Sequence, residues 1–213
     1  MFVVIIICLS ILLICSILLF SLCPLIKKKN LKKNFFKIYG KKIYKLAYKD
    51  DYYLLNNVKL KANDDTYLYI DHILFGNKYF YIIKDYYFNG GLSIKDIDPS
   101  WVFYYGNFKK PKQKYIDNLM NENKKRIDRF CQLTGLESSL FISIVLINDD
   151  CTIVDYVNNN DNNFVSSSKQ LKQLIKNIEN RNVAPLNPVN LNYAVRDINK
   201  LNVNKKHEKG YKK

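Results

Sequence analysis

Histidine and cysteine are scarce in this chain of 213 residues, with two and five copies. Cys8, Cys15 and Cys23 fall in an apolar N-terminal stretch, leaving Cys131 and Cys151 in the body at no metal-ligand spacing. That excludes a zinc-type cluster. The two body cysteines read as apolar fillers, consistent with a reducing compartment. A glycine-rich phosphate loop is also missing, as is any Ser-His-Asp arrangement, which removes the P-loop and serine-hydrolase classes. No internal repeat is present. Finally, the first stretch, Phe2 to Ile26, carries no charge at all.

That uncharged stretch is the first positive signal. At about 1.5 Å per residue, a helix of this length exceeds the roughly 30 Å hydrocarbon core of a bilayer. A cleaved signal peptide would show a basic leader and a shorter apolar core. Residues 2–26 are therefore expected to form a transmembrane anchor, against the alternative of an uncleaved export signal. Lys27, Lys28, Lys29, Lys32 and Lys33 follow at once, with nothing basic before the span. The positive-inside rule then puts residues 27–36 at the membrane face and the C-terminal body in the cytoplasm, making the chain a single-pass protein of the cell membrane.

The net charge of +15 lies outside the anchor. Lysines beside the membrane favour anionic lipid. Elsewhere, attraction to DNA or RNA competes with a plainer reading, a lysine-rich surface that is merely solvated.

Along the body, Phe35, Ile38, Ile43 and Leu46 recur at helical spacing within residues 34–49, with Gly40 as a weak point. Residues 52–60 read as a strand, and Asp64 and Asp65 as turn residues. Residues 67–75 and 78–87 form a hairpin about Gly76-Asn77. A short strand is expected over 101–105. From about Gln113 to Gln132 the pattern turns helical, with Ile116, Leu119, Met120, Ile127 and Phe130 on one stripe and Lys124, Lys125 and Arg126 at polar positions. Residues 140–147 are continuously apolar, the mark of a strand buried on both faces, and 151–157 read as another strand. Residues 158–168 look like a polar loop and 169–180 an amphipathic helix. Residues 181–213 are expected to be a basic polar tail, broken at Pro185 and Pro188, with 201–213 loose and His207 exposed. The fold class is thus α/β, a mixed sheet flanked by helices.

Within the hairpin, Asp71 is a carboxylate in an apolar strand, costly to bury unless paired or metal-bound. Lys84, Asp85 and Tyr86 occupy the facing strand. Ile70-Asp71-His72-Ile73, the glycine turn, the apolar run Tyr79 to Ile83 and the following Gly90 resemble the core motif of the nuclease-related domain (NERD) family. That family is a branch of the restriction-endonuclease-like nucleases. Gly40, the strand over 52–60, Pro111-Lys112-Gln113 and the run over 140–147 extend the resemblance across roughly residues 37–180.

The resemblance implies a restriction-endonuclease-like sheet and a site in which an aspartate, a Glu-x-Lys and a helix glutamate hold Mg²⁺ to activate water. Glutamate and lysine must stand two apart because only such pairs share a strand face. Here the helix glutamate falls on Lys41, and Glu-x-Lys falls on Lys84-Asp85-Tyr86. Asp71 alone remains, so the resemblance implies a member impaired in cleavage, acting through nucleic-acid binding by Lys84 and Lys41 or through protein interaction as a membrane scaffold. Asp71 as a Mg²⁺ ligand competes with a cross-strand ion pair between Asp71 and Lys84. An active Mg²⁺-dependent nuclease remains the alternative, with Asp71 and Asp85 as catalytic residues, if a bulge carries Asp85 to the face of Asp71. His72 is expected to be a packed histidine on the other face, and the tyrosines either sheet packing or platforms for stacked bases.

Overall fold

The computed structural model describes residues 2–63, 65–107 and 109–204, and only the backbone for most of 2–25. Asp64 and His207 lie outside the described residues. Two compact units result, residues 1–38 and 39–213. Helix α1, Phe2–Lys49, runs through the first and into the second, with one non-helical residue, Asn34 (φ −114°, ψ 22°). Among the described residues no helix is long and apolar enough to cross a membrane, and most side chains of the Phe2 to Ile26 stretch fall outside that set.

In the second unit, α1 buries Tyr39, Ile43 and Ala47 at four-residue intervals. The chain then builds a five-stranded sheet from β1 (Tyr53–Lys61), β2 (Tyr67–Phe75), β3 (Phe80–Tyr86), β7 (Phe141–Ile147) and β9 (Asn163–Ser167), in that spatial order. β1, β2 and β3 pair antiparallel, and β3, β7 and β9 pair parallel. Every residue of β7 is buried, as its unbroken apolar run demands. Gly76 makes the β2–β3 turn, its N–H donating to the Tyr79 carbonyl at 2.9 Å. A Cβ there would collide with the Glu179 carboxylate. That carboxylate accepts from the Lys78 N–H and the Tyr81 hydroxyl, at 3.0 and 2.6 Å.

The expectation of a single sheet is corrected. At Gly90-Gly91 the chain leaves the first sheet and builds a second, mixed one from β4 (Gly91–Lys95), β5 (Ser100–Asn107), β6 (Lys110–Asp117) and β8 (Thr152–Val157), ordered β6-β5-β4-β8. Glycine is needed at 90, where a Cβ would strike the Tyr104 carbonyl. The helix expected from about Gln113 begins later: residues 110–117 pair with β5 as an edge strand, Pro111 included. Lysine, glutamine and proline on an exposed edge give little periodicity, so strand and helix look alike there.

Helix α2, Leu119–Thr134, is capped by Asn118, whose side-chain oxygen accepts the N–H groups of Met120 and Asn121. The Asn118 amide also donates to the carbonyls of Lys95, Asp96 and Asp98. Midway along α2, buried Asn123 donates to the Ile82 carbonyl and the Ser143 hydroxyl, both at 3.0 Å. These bonds pin α2 across β3 and β7. Ile127 and Phe130 join the core of that face with Ile70, Ile73, Phe75, Ile82 and Phe141.

The segment read as a polar loop contains β9, and helix α3, Ser168–Glu179, follows it with Leu171, Ile175 and Ile178 buried. Within the segment expected as a basic polar tail, Pro188 opens helix α4, Pro188–Leu201, whose Ile198 packs in the α2-side core beside β1 residues. Proline suits the first turn of a helix, where its missing N–H has no partner to lose.

Candidate functional site: a basic cleft at a fork between strands

The β2–β3 ladder is short. It pairs His72 with Ile83 through to Phe75 with Phe80, then stops, while β3 stays paired to β7 along its whole length. From Ile70 back to Tyr67, β2 is held by β1 alone. At the fork the β1–β2 ladder also lacks its Asn57–Asp71 pair, and Asn57 sits in the left-handed region at φ 52°. Alternation slips there. Val58, Leu60, Leu68 and Ile70 face the α2-side core below the break, and Leu55, Ile73 and Phe75 face it above. Asparagine tolerates this conformation better than most residues.

Asp71 stands at the fork and takes over the missing ladder contact. One carboxylate oxygen accepts the Asp85 N–H at 3.0 Å, the other the Lys84 ammonium at 2.8 Å. Both side chains of this ion pair are about four-fifths buried, at 18% and 21% exposure. Two residues along β3, on the same face, the Tyr86 hydroxyl donates to Glu122 of α2 at 3.1 Å. Burial raises the Tyr86 pKa, with nearby Arg126 working against the shift. The Glu122 carboxylate also lies 3.6 Å from the Arg126 guanidinium.

Beside the ion pair opens a cleft of about 400 Å³. β2 contributes Tyr67, Leu68 and Tyr69, β3 contributes Lys84, and α2 contributes Lys125, Arg126 and Arg129. Arg129 also donates to the Thr66 hydroxyl at 3.2 Å. Arg126 keeps one guanidinium nitrogen, Nη1, shielded from solvent and without a hydrogen-bond partner. On β1, the Lys59 ammonium lies 3.9 Å from the Tyr67 ring centre and 5.4 Å from that of Tyr69.

Asp85 points the other way. The register of β3 against β2 and β7 runs without a shift, so the bulge that would bring its carboxylate to Asp71 is not there. The slip in alternation lies instead on β1 and β2. The Asp85 side chain is buried and 3.0 Å from His72 Nε2, while His72 Nδ1 lies 2.6 Å from Asn56 Oδ1. Burial raises the Asp85 pKa against the pull of His72. His72 is packed as expected, with Gly40 of α1 against its ring: a Cβ on Gly40 would stand 3.4 Å from the imidazole. Lys41, next to Gly40, is exposed and does not line the cleft. The structure thus unites Asp71 with Lys84 and separates both from Asp85 and Lys41.

The basic side of the cleft escaped sequence reading as a site. Glu122, Lys125, Arg126 and Arg129 follow the i, i+3, i+4, i+7 pattern that puts residues on one helix face, and only that spacing announced them.

A model of the nuclease-related domain family matches residues 40–148, half of the chain. The chain belongs to the nuclease-related domain family. No curated protein and no solved structure matches it. The matched region of this nuclease-related domain runs from the end of α1 to just beyond β7, enclosing Asp71, Lys84, Tyr86 and the whole cleft, while β8, β9, α3 and α4 follow it.

The Mg²⁺ ion that the resemblance implies does not fit the donors present. Each Asp71 oxygen already accepts a donor, and the neighbour supplied by β3 is an ammonium where the resemblance places a glutamate. Tyr86 brings a hydroxyl already bound to Glu122. Among the described residues no three histidine, cysteine, aspartate or glutamate side chains gather as a metal site would require.

Proposed function

We propose that this nuclease-related domain binds nucleic acid without efficient cleavage and is held at the cytoplasmic face of the cell membrane by residues 2–26. The observation that carries this reading is the Asp71–Lys84 ion pair. It sets a cation where metal-dependent hydrolysis needs a second carboxylate. The remaining positive side chains of the cleft then face a phosphate backbone with no ion between them. The five-stranded mixed sheet with helices is in keeping with a restriction-endonuclease-like ancestry. The uncharged stretch and the lysines behind it support the anchor and its orientation.

The test is a titration of the full-length chain with labelled DNA and RNA across a salt series, followed by incubation with Mg²⁺ or Mn²⁺. Expected are salt-dependent binding and intact substrate. Absence of salt-dependent binding would leave a scaffold at the membrane as the better account. Cleavage abolished by Asp71→Asn would restore an active nuclease.

A further inference from the structure

We infer that the fork is a metal-independent seat for single-stranded nucleic acid crossing the free edge of β2, with Tyr69 on one face as its stacking platform and Lys84, Arg126 and Arg129 on the other as its phosphate contacts. This rests on the nucleic-acid reading above and names the form of the ligand. Three observations carry it.

The first is size. A cleft of about 400 Å³ is on the scale of a small-molecule site and matches a nucleotide's phosphate and sugar rather than the width of a duplex. The second is the aromatic pair. Tyr67 and Tyr69 share the face of β2 turned away from the α2-side core, at the edge that β3 leaves free, with ring centres 6.4 Å apart and exposures of 36% and 54%. Exposed aromatics interleaved with cations are the recurring means of holding single strands, because every base has a face to stack. Lys59 lies over these rings, closer to Tyr67, so a phosphate beside a base stacked on Tyr69 meets a cation. The third is unused donor capacity. Arg126 Nη1 is shielded and unpartnered, and an oxyanion in the cleft would satisfy it. Lys84, neutralising Asp71, removes the repulsion that the carboxylate would otherwise exert on a phosphate.

The experiment is fluorescence anisotropy on the full-length chain in mild detergent. The probes are a labelled oligonucleotide of about fifteen nucleotides as DNA and as RNA, its blunt duplex, and an abasic strand of equal length. The unpaired strand is expected to bind tighter than its duplex, and equally well in EDTA or Mg²⁺. Losing the bases should weaken binding by about tenfold or more. Tyr69→Ala should cost roughly tenfold with little change in salt slope, and Tyr69→Phe should restore most of it. Arg126→Gln should make the slope of log K against log salt shallower by about 0.7. Tyr69 is exposed, and its variants are accepted only with an unchanged melting temperature.

Equal affinity for duplex, abasic strand and intact strand would overturn the inference and leave the nucleic-acid reading standing. So would wild-type affinity in a folded Tyr69→Ala, or binding lost in EDTA. No salt-dependent binding to any probe would instead remove the reading itself.

Discussion

Lys84 and Asp71 satisfy each other at the one point where β2 parts from β3, and that mutual dependence is testable from either side. Lys84→Met leaves a largely buried carboxylate with a single backbone donor, and chemical denaturation should show a loss of about 1–3 kcal/mol. Lys84→Glu sets two carboxylates together. It should melt below wild type in EDTA and be raised by millimolar Mg²⁺, since a ligand of the native state alone raises stability. Wild type should not respond to Mg²⁺. If the Lys84→Glu variant does not respond either, the fork lacks the geometry of a metal site. A second carboxylate, Asp149, is held differently. It accepts the Lys42 ammonium, the Ser168 hydroxyl and the Lys169 N–H at 2.7–3.1 Å. Partial burial works the other way, but these bonds hold its pKa below the ordinary carboxylate value. The unfolded chain therefore binds more protons between the two values, and stability rises with pH through that window. Asp149→Asn should cost about 1–2 kcal/mol near neutrality, with the gap to wild type closing as pH falls below about 4.

At the level of elements, α2 positions the cleft, and Asn118 positions α2. Asn118→Ala deletes a cap and strands three carbonyls that reach it from the β4–β5 connection, so a loss of about 2–4 kcal/mol is expected in urea denaturation. Asn118→Asp keeps the acceptor but not the donors, and should fall between. The hairpin is legible in the chain itself, because a two-residue period and a glycine turn fix which side chains share a face; from that alone Asp71 and Lys84 had to be neighbours. The slip at Asn57 is not legible. One left-handed asparagine reverses the alternation of two strands, and nothing in residues 53–61 distinguishes it from the neighbouring Asn56. The second sheet is hidden for another reason. β5 and β8 read as strands, but β6 has almost every residue exposed, and an edge strand with no buried face has no pattern to read. Helix α4 is obscured by its own first residue, since Pro188 reads as a breaker unless it is placed at a first turn.

For the whole molecule, the excess of positive charge falls in two places that separate by sequence position. Lys27 to Lys33 belong to the first unit, and the cleft cations to the second. If the first unit is an anchor, its hold rests on apolar burial and resists both high salt and alkaline carbonate, whereas attraction of lysines to anionic headgroups fades within a Debye length and is screened away. The full chain is therefore expected in the membrane pellet after washing with molar salt and after carbonate extraction. A chain lacking residues 2–26 should pellet with anionic vesicles at low salt and leave them at high salt. Immunoblotting of the fractions decides. Release of the full chain by salt alone would make residues 2–26 a surface helix, and the lysines behind them the true attachment. Cleft occupancy gives an independent reading on the same preparation. The vesicle-bound chain should still take up labelled single strand, because Lys27 to Lys33 do not line the cleft. Mutual exclusion of vesicle and strand would mean one basic surface answers to both.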